Sequence, residues 1–191
     1  MVFTTPHNGE IMHITGGKLR KRSVEIVEQK RIRPTSSKVR GAIFSMIGQD
    51  LTGVSFLDTF GGSGIMGMEA WSRNANPVLI TEKNPRAVQQ IRKQIETFEA
   101  SISLQCCDAL KGMKGDWDII FLDPPYRLDI HPYLEKALQI AAWMVIAETS
   151  VTSPIDLSNL QGAIDKKDWK LWKQKHYGAS MITIFQRNTS A

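Results

Sequence analysis

The chain is 191 residues long, enough for one domain with a substantial core. Its 42% hydrophobic and 23% charged residues are those of a soluble globular protein, and no apolar run approaches the ~20 residues of a membrane span. The net charge of +5 is concentrated: Lys18 to Arg40 carries nine basic residues against Glu25 and Glu28, +7 in all, whereas the remainder sums to −2. Such a stretch suits a polyanion, whose condensed counterions are released when phosphates are neutralised. Met1 to Glu10 is polar with no apolar stretch behind it, so no cleavable signal is expected. Cys106 and Cys107 are adjacent, which disfavours a relaxed disulfide and a zinc site alike, and a reducing cytoplasm is the expected location.

In chain order, Ile11 to Val27 alternates around Gly16-Gly17 and predicts a basic β-hairpin. Pro34-Thr35-Ser36-Ser37 offers helix-capping side chains, Val39, Ile43, Met46 and Ile47 follow at helical spacing, and Gly48 ends the helix. Strands are expected at Val54–Asp58, Val78–Glu82, Ile102–Cys107, Asp118–Asp123 and Trp143–Glu148. Helices are expected at Ile65–Arg73, from Pro85 through Phe98, and at Tyr133–Ala141. Trp169–Lys175 and Ser180–Gln186 read as a closing strand pair around Gly178. The alternation predicts an α/β fold: a doubly wound, mostly parallel, seven-stranded Rossmann-like sheet with an N-terminal basic hairpin. Residues 1–50 form the basic hairpin-and-helix unit packed on the core, and residues 51–191 the main domain.

In such sheets ligands bind at the carboxyl ends of the strands, where Asp58, Glu82, Asp108 and Asp123 all fall. The turn Asp58-Thr59-Phe60-Gly61-Gly62-Ser63-Gly64 lets a ligand approach the main chain. Gly62 to Gly67 also matches a dinucleotide fingerprint, so a nicotinamide dehydrogenase has to be weighed. Asp58 argues against it, because a carboxylate beside a pyrophosphate is repelled but suits an amino-acid ammonium. Glu82 is placed to accept ribose hydroxyls, and Asp108, next to Ala109, to accept an adenine amino group or else to cap a helix. Asp123-Pro124-Pro125-Tyr126 is the strongest signal. Two prolines stiffen the loop, leaving the Asp123 carboxylate and Pro124 carbonyl as fixed acceptors for an –NH₂ group and Tyr126 as a stacking face.

Together these residues resemble the class I S-adenosylmethionine-dependent methyltransferases, and most closely the bacterial RsmD family, which methylates N2 of a guanine in 16S ribosomal RNA. Besides the glycine turn and Asp123 to Tyr126, the resemblance takes in Glu69-Ala70 with Ser72-Arg73 and Tyr177-Gly178, and the discriminating stretches are the N-terminal Ile14-Thr15-Gly16-Gly17-Lys18-Leu19-Arg20 and Arg33-Pro34-Thr35 with Val39-Arg40. Gly61 stands where an Ala is usual, a change expected to be harmless for backbone approach, and Gly41 where an acid is usual. The resemblance implies S-adenosylmethionine held by Asp58, Phe60, Gly61, Gly62, Ser63, Gly64, Glu82, Asp108 and Ala109. It implies a target guanine held by Asp123, Pro124, Pro125 and Tyr126, and RNA gripped by Lys18, Arg20, Lys21, Arg22, Arg33, Thr35 and Arg40. The implied partner is ribosomal RNA, free or in an assembling small subunit, and the chain is expected to act as a monomer without a membrane. Rival readings are a DNA adenine-N6 or protein glutamine methyltransferase, and a non-catalytic RNA-binding assembly factor. His7, His13, His131 and His176 show no metal-ligand spacing, and none is assigned a metal.

Overall fold

A computed structural model describes residues 10–26, 35–160 and 169–188. The N-terminal strands β1 (Glu10–His13) and β2 (Ser23–Ile26) pair antiparallel, with Glu10 opposite Ile26, and form the expected hairpin. Helix α1 (Ser37–Ile47) starts where the Ser36 hydroxyl accepts from the Val39 N–H and stops at Gly48, whose φ of 127° disfavours a side chain.

Seven further strands make one sheet. They are β3 (Phe56–Asp58), β4 (Val78–Glu82), β5 (Ser103–Cys106), β6 (Trp117–Leu122), β7 (Ala141–Ser150), β8 (Trp169–Tyr177) and β9 (Ser180–Arg187). Their order is β5-β4-β3-β6-β7-β9-β8, parallel from β5 through β7, with β9 antiparallel to both β7 and β8. Helices α2 (Ile65–Ser72), α3 (Pro85–Thr97), α4 (Ala109–Gly112) and α5 (His131–Ile140) connect the parallel strands. Among the described residues no helix is long and apolar enough to cross a membrane.

Period-two alternation gives the sheet two cores. Phe56, Ile80, Ile119, Phe121 and Ile184 point to the face that carries the hairpin, α1 and α2. Leu57, Leu79, Ile120, Leu122 and Phe185 point to the face covered by α5. The chain leaves β3 toward β4 and β5, then returns to lay β6 on the other side of β3. That reversal opens a crevice at the carboxyl ends of β3 and β6, the position where doubly wound sheets bind ligands.

The hairpin is fastened to α2 by an internal polar network. Glu69 of α2 accepts from the Thr15 N–H at 2.8 Å and hydroxyl at 2.9 Å, and from Arg40 Nε at 3.1 Å, and it pairs with Arg73. Ser72 donates to the Gly16 carbonyl at 2.6 Å and accepts from the Leu19 N–H at 2.8 Å. Gly17 makes this approach possible: its φ is 72°, and a Cβ there would lie 1.8 Å from the Ser72 carbonyl oxygen.

Several element boundaries differ from expectation, three of them for evident local reasons. β3 begins at Phe56 instead of Val54 because the Asp118 carboxylate takes both the Ser55 N–H and hydroxyl, and Val54 closes a turn onto Leu51. α5 begins at His131, whose N–H is capped by Asp129. β7 runs on to Ser150 because β9 pairs with it as far as Ser180.

Candidate active site

Asp58 ends β3 beneath the glycine turn and is 1% exposed. Its Oδ2 accepts from the Gly67 N–H at 3.1 Å, whereas Oδ1 has no hydrogen-bond partner among the described residues. Burial, with the charge of Glu82 adding to it, raises the Asp58 pKa to about 7 against the pull of the Gly67 and Phe60 N–H groups. A buried carboxylate with one unused oxygen leaves an acceptor for a cation or donor that this chain does not supply.

The turn itself is built by close contacts. Gly61 donates to the Thr81 carbonyl at 2.8 Å and Gly64 to the Gly61 carbonyl at 2.6 Å. Gly62 and Gly64 have φ of 54° and 75°, in the left-handed region. A Cβ at Gly61 would lie 2.5 Å from Ile80 Cγ2, so an Ala could not take this place without moving β4 side chains. Ser63 is half-buried and its hydroxyl accepts from the Ile65 N–H. Phe60 tilts against Tyr133 with ring centroids 5.1 Å apart.

Glu82 ends β4 and ties the turn to the next strand: Oε2 accepts from the Gly62 N–H at 2.8 Å and Oε1 from the Asn84 N–H at 2.7 Å. Each oxygen keeps a lone pair for a further donor. Asp108 caps α4 by accepting from the Leu110 N–H at 2.9 Å, the capping role weighed for it above, and Ala109 beside it is buried. Both lie past β5, on the strand-end edge shared with Asp58 and Glu82.

Asp123 follows β6 directly, next to β3: Asp58 is in register with Phe121, and Thr59 donates to the Phe121 carbonyl from both its N–H (3.1 Å) and its hydroxyl (2.8 Å). The structure thus brings the Asp-Pro-Pro-Tyr loop beside the glycine turn. The Leu128 N–H closes that loop on the Pro125 carbonyl at 2.8 Å. Pro124 is buried, Pro125 exposed, and Tyr126 keeps 49% of its surface exposed.

Sequence reasoning assigned no role to Glu148. It is 3% exposed on β7, and the Thr35 hydroxyl lies 2.8 Å from its Oε2 and 3.2 Å from Asp123 Oδ2. The Thr35 hydroxyl thus donates between the two carboxylates, its one hydrogen shared between the shorter contact to Glu148 and the longer one to Asp123. Burial first, then the charge of Glu148, with Asp58 adding, holds Asp123 well above the usual carboxylate range, while the Thr35 hydroxyl works against the rise. The signal for Glu148 was an acid near the end of an apolar strand, the same pattern that marks Asp58 and Glu82.

Two residues expected on RNA phosphates lie elsewhere. Arg40 is fully buried, paired with Glu69, and donates to the carbonyls of Thr35 at 2.6 Å and His13 at 2.7 Å. Thr35 is 4% exposed and turned to Asp123 and Glu148. A guanidinium buried in this way, with all three nitrogens donating inside the protein, does not reach phosphate, and one of its donors holds the carbonyl of Thr35. Lys18, Arg20, Lys21 and Arg22 are exposed on the hairpin, with the Lys18 ammonium 3.4 Å from the Trp71 ring centroid. Arg33 lies outside the described residues.

Comparison with known proteins adds to this geometry. Residues 12–186 match the model of a family described as conserved hypothetical protein 95. A relative named ribosomal RNA small subunit methyltransferase D, from Haemophilus influenzae, is 26% identical over 195 residues, covering 95% of this chain and 97% of its own. A conserved hypothetical protein of Streptococcus pyogenes, of known structure, is 32% identical with a TM-score of 0.67, covering 78% of this chain and 96% of that one. The structure of yhhF from Escherichia coli superimposes with a TM-score of 0.77 at 24% identity, covering 95% of this chain and 100% of that one, and so shares the fold.

Proposed function

Since the chain belongs to the conserved hypothetical protein 95 family, the family of the RsmD methyltransferases, we propose that it transfers a methyl group from S-adenosylmethionine to the N2 amino group of a guanine in 16S ribosomal RNA. The observation that carries this reading is the pairing of two preorganised acids at the switch between β3 and β6: Asp58 with an unused buried oxygen under a glycine turn, and Asp123 at the head of a proline-stiffened loop. A cytoplasmic location and a ribosomal RNA partner go with it.

S-adenosylmethionine supplies an electrophilic methyl on a positively charged sulfonium, with an ammonium at its amino-acid end. The chain's residues fit it. Asp58 Oδ1 would take the ammonium, the Gly61–Gly64 turn leaves the backbone open beside it, Glu82 would accept the ribose hydroxyls, and Asp108 would accept from the adenine. Phe60, Ser63 and Ala109 would complete the walls.

Asp123 and the Pro124 carbonyl would orient the guanine amine by accepting its two N–H groups. This localises a lone pair that is otherwise delocalised into the ring, and positions it for attack. The target base leaves its stack to reach the crevice, with the exposed Tyr126 ring as its platform. As the nitrogen gains positive charge it must shed a proton. Asp123 holds a proton more tightly than an ordinary carboxylate does, which makes it the nearest competent acceptor.

Titration of Asp58 predicts how donor affinity changes with pH. Bound ammonium favours the ionised carboxylate, so affinity is expected to rise about ten-fold per pH unit up to the Asp58 pKa of about 7, then level off. Calorimetric titration with S-adenosylhomocysteine checks this; Asp58→Asn should flatten the acid limb, and a flat wild-type acid limb would exclude the contact. For RNA, Lys21→Ala with Arg22→Ala is expected to reduce the slope of log affinity against log salt by about 0.7–0.9 for each phosphate no longer neutralised. An unchanged slope would make the hairpin a passive solvated face.

The reading is tested by offering methyl-labelled donor to under-modified ribosomal RNA, to DNA and to a release factor in parallel. Label entering RNA alone supports it. Label in DNA or protein selects a rival acceptor, and donor binding without transfer selects the assembly-factor reading.

A further inference from the structure

Asp123 has a second carboxylate beside it. Leu122 of β6 is in register with Ala147 of β7, and both face the α5 side of the sheet. The next residue in each chain is an acid, and alternation turns Asp123 and Glu148 together toward the hairpin face. The Thr35 hydroxyl sits between them, 2.8 Å from Glu148 Oε2 and 3.2 Å from Asp123 Oδ2. Its place is set by the fold, because Arg40, itself paired with Glu69, donates to the Thr35 carbonyl at 2.6 Å.

Glu148 is buried without the partners that usually accompany a buried charge. Among the described residues no cation pairs with it, and Thr35 is the one side chain that donates to it. Its neighbour across β9 is the buried Ile182. The charged groups that face Asp123 are therefore both acids: Glu148 from β7 and Asp58 from β3. A carboxylate kept in so unfavourable a place suits a reaction in which positive charge arrives beside it.

We propose that Glu148 and Thr35 are positioning residues for methyl transfer: Thr35 sets the Asp123 carboxyl by one hydrogen bond, and Glu148 supplies a second buried negative charge that draws positive charge toward the base nitrogen. This role rests on the amine-transfer reading above. In that reaction the N–C bond forms as the C–S bond breaks, and the electron pair of the broken bond stays on sulfur. The positive charge passes to the nitrogen, whose surplus proton goes to an Asp123 oxygen. Among the described residues only Oδ2 of Asp123 is engaged by Thr35, which leaves Oδ1 for the amine.

Two substitutions separate the charge from the hydrogen bond. Glu148→Gln keeps an acceptor for Thr35 and removes the charge; Thr35→Val keeps the charge and removes the hydroxyl. The charge of Glu148 raises the proton affinity of Asp123 and the Thr35 hydroxyl lowers it, so the two variants should move Asp123 in opposite directions. Carbon-13 NMR of the aspartate-labelled full chain reads this, with the Asp123 carboxyl assigned by its loss in Asp123→Asn. Its titration is expected at lower pH in Glu148→Gln, at higher pH in Thr35→Val, and near the wild-type position in Thr35→Ser. With donor saturating, so that Asp58 stays paired with the ammonium, the acid limb of kcat should shift in the same two directions. Plateau kcat should fall about ten-fold in Glu148→Gln, less than for a group at the reacting atoms, with donor affinity and the RNA KM within about two-fold of wild type. A packing role alone would lower Tm and leave the titrations in place. An Asp123 resonance that keeps its wild-type titration in both variants, or moves the same way in both, overturns the proposal. The NMR titration needs no substrate and so separates the two claims. Opposite shifts with no label entering RNA retire the RNA reading and keep the three-residue unit, whereas transfer to RNA with unmoved resonances does the reverse.

Discussion

Asp123→Ala is expected to lower kcat by about 10²–10³-fold while leaving donor affinity near that of the wild type, because a preorganised polar group at the reacting atoms carries effects of this size. The carboxyl of Asp123 is set at the end of β6, away from the glycine turn's own hydrogen bonds, so its removal leaves the donor side intact. Stability should hold or increase. Asp123 lies among Glu148 and Asp58, and its folded pKa is raised above the ordinary carboxylate value of 3.8. A carboxyl with a raised folded pKa binds its proton preferentially in the folded state. Its contribution to stability is therefore full at acid pH and lost as pH climbs through the folded pKa. Asp123→Ala should thus melt no lower than wild type at neutral pH, and the gain should shrink on acidification. Asp123→Asn keeps one acceptor oxygen and should fall between the two in kcat. Steady-state kinetics with thermal melts across pH check all of this; wild-type turnover by Asp123→Ala would remove the residue from the mechanism.

Glu69→Ala carries the largest expected effect on stability. It removes the carboxylate that pairs with two fully buried guanidiniums, Arg40 and Arg73, and that accepts from the Thr15 N–H and hydroxyl. Breaking a buried ion pair from one side costs about 3–5 kcal/mol, a large part of the ~5–15 kcal/mol that holds a domain folded. For a chain of this size that corresponds to a fall in Tm of about 6–20 °C. The effect should extend to turnover, since Arg40 also donates to the Thr35 carbonyl, and the Thr35 hydroxyl contacts Asp123 and Glu148. Glu69→Gln preserves shape and some acceptor capacity and should lie between. Urea unfolding with differential scanning calorimetry is the check; a Tm within about 2 °C of wild type would show that the hairpin is held by its apolar contacts alone.

Periodicity made the sheet legible. Ile119 and Ile120, or Leu79 and Ile80, are apolar on both faces because β4 and β6 are covered on both sides, and such runs read as buried parallel strands. The strand-end acids were legible for the same reason: a carboxylate after an apolar run is costly unless the crevice uses it. Burial of charge was not legible. Arg40 sits in a basic stretch, and its partner Glu69 is 29 residues away, so charge counting placed it on the surface. Glu148 stood at the end of the expected Trp143–Glu148 strand but was given no role, because its partner Thr35 lies 113 residues away in the chain. Thr35 read as capping chemistry, but Ser36 caps α1 and frees Thr35 to reach the two acids. For Arg40, Glu148 and Thr35 alike, what single-sequence reasoning lacked was the partner supplied by a distant element.

The proposed acceptor is one nitrogen, N2 of a guanine. The most direct measurement digests small-subunit RNA, methylated by the purified chain with labelled donor, to nucleosides and separates them by chromatography with mass detection. The label is expected to migrate as N2-methylguanosine and to disappear with Asp123→Ala. Label on a ring nitrogen, a ribose or N6-methyladenosine would contradict the assignment.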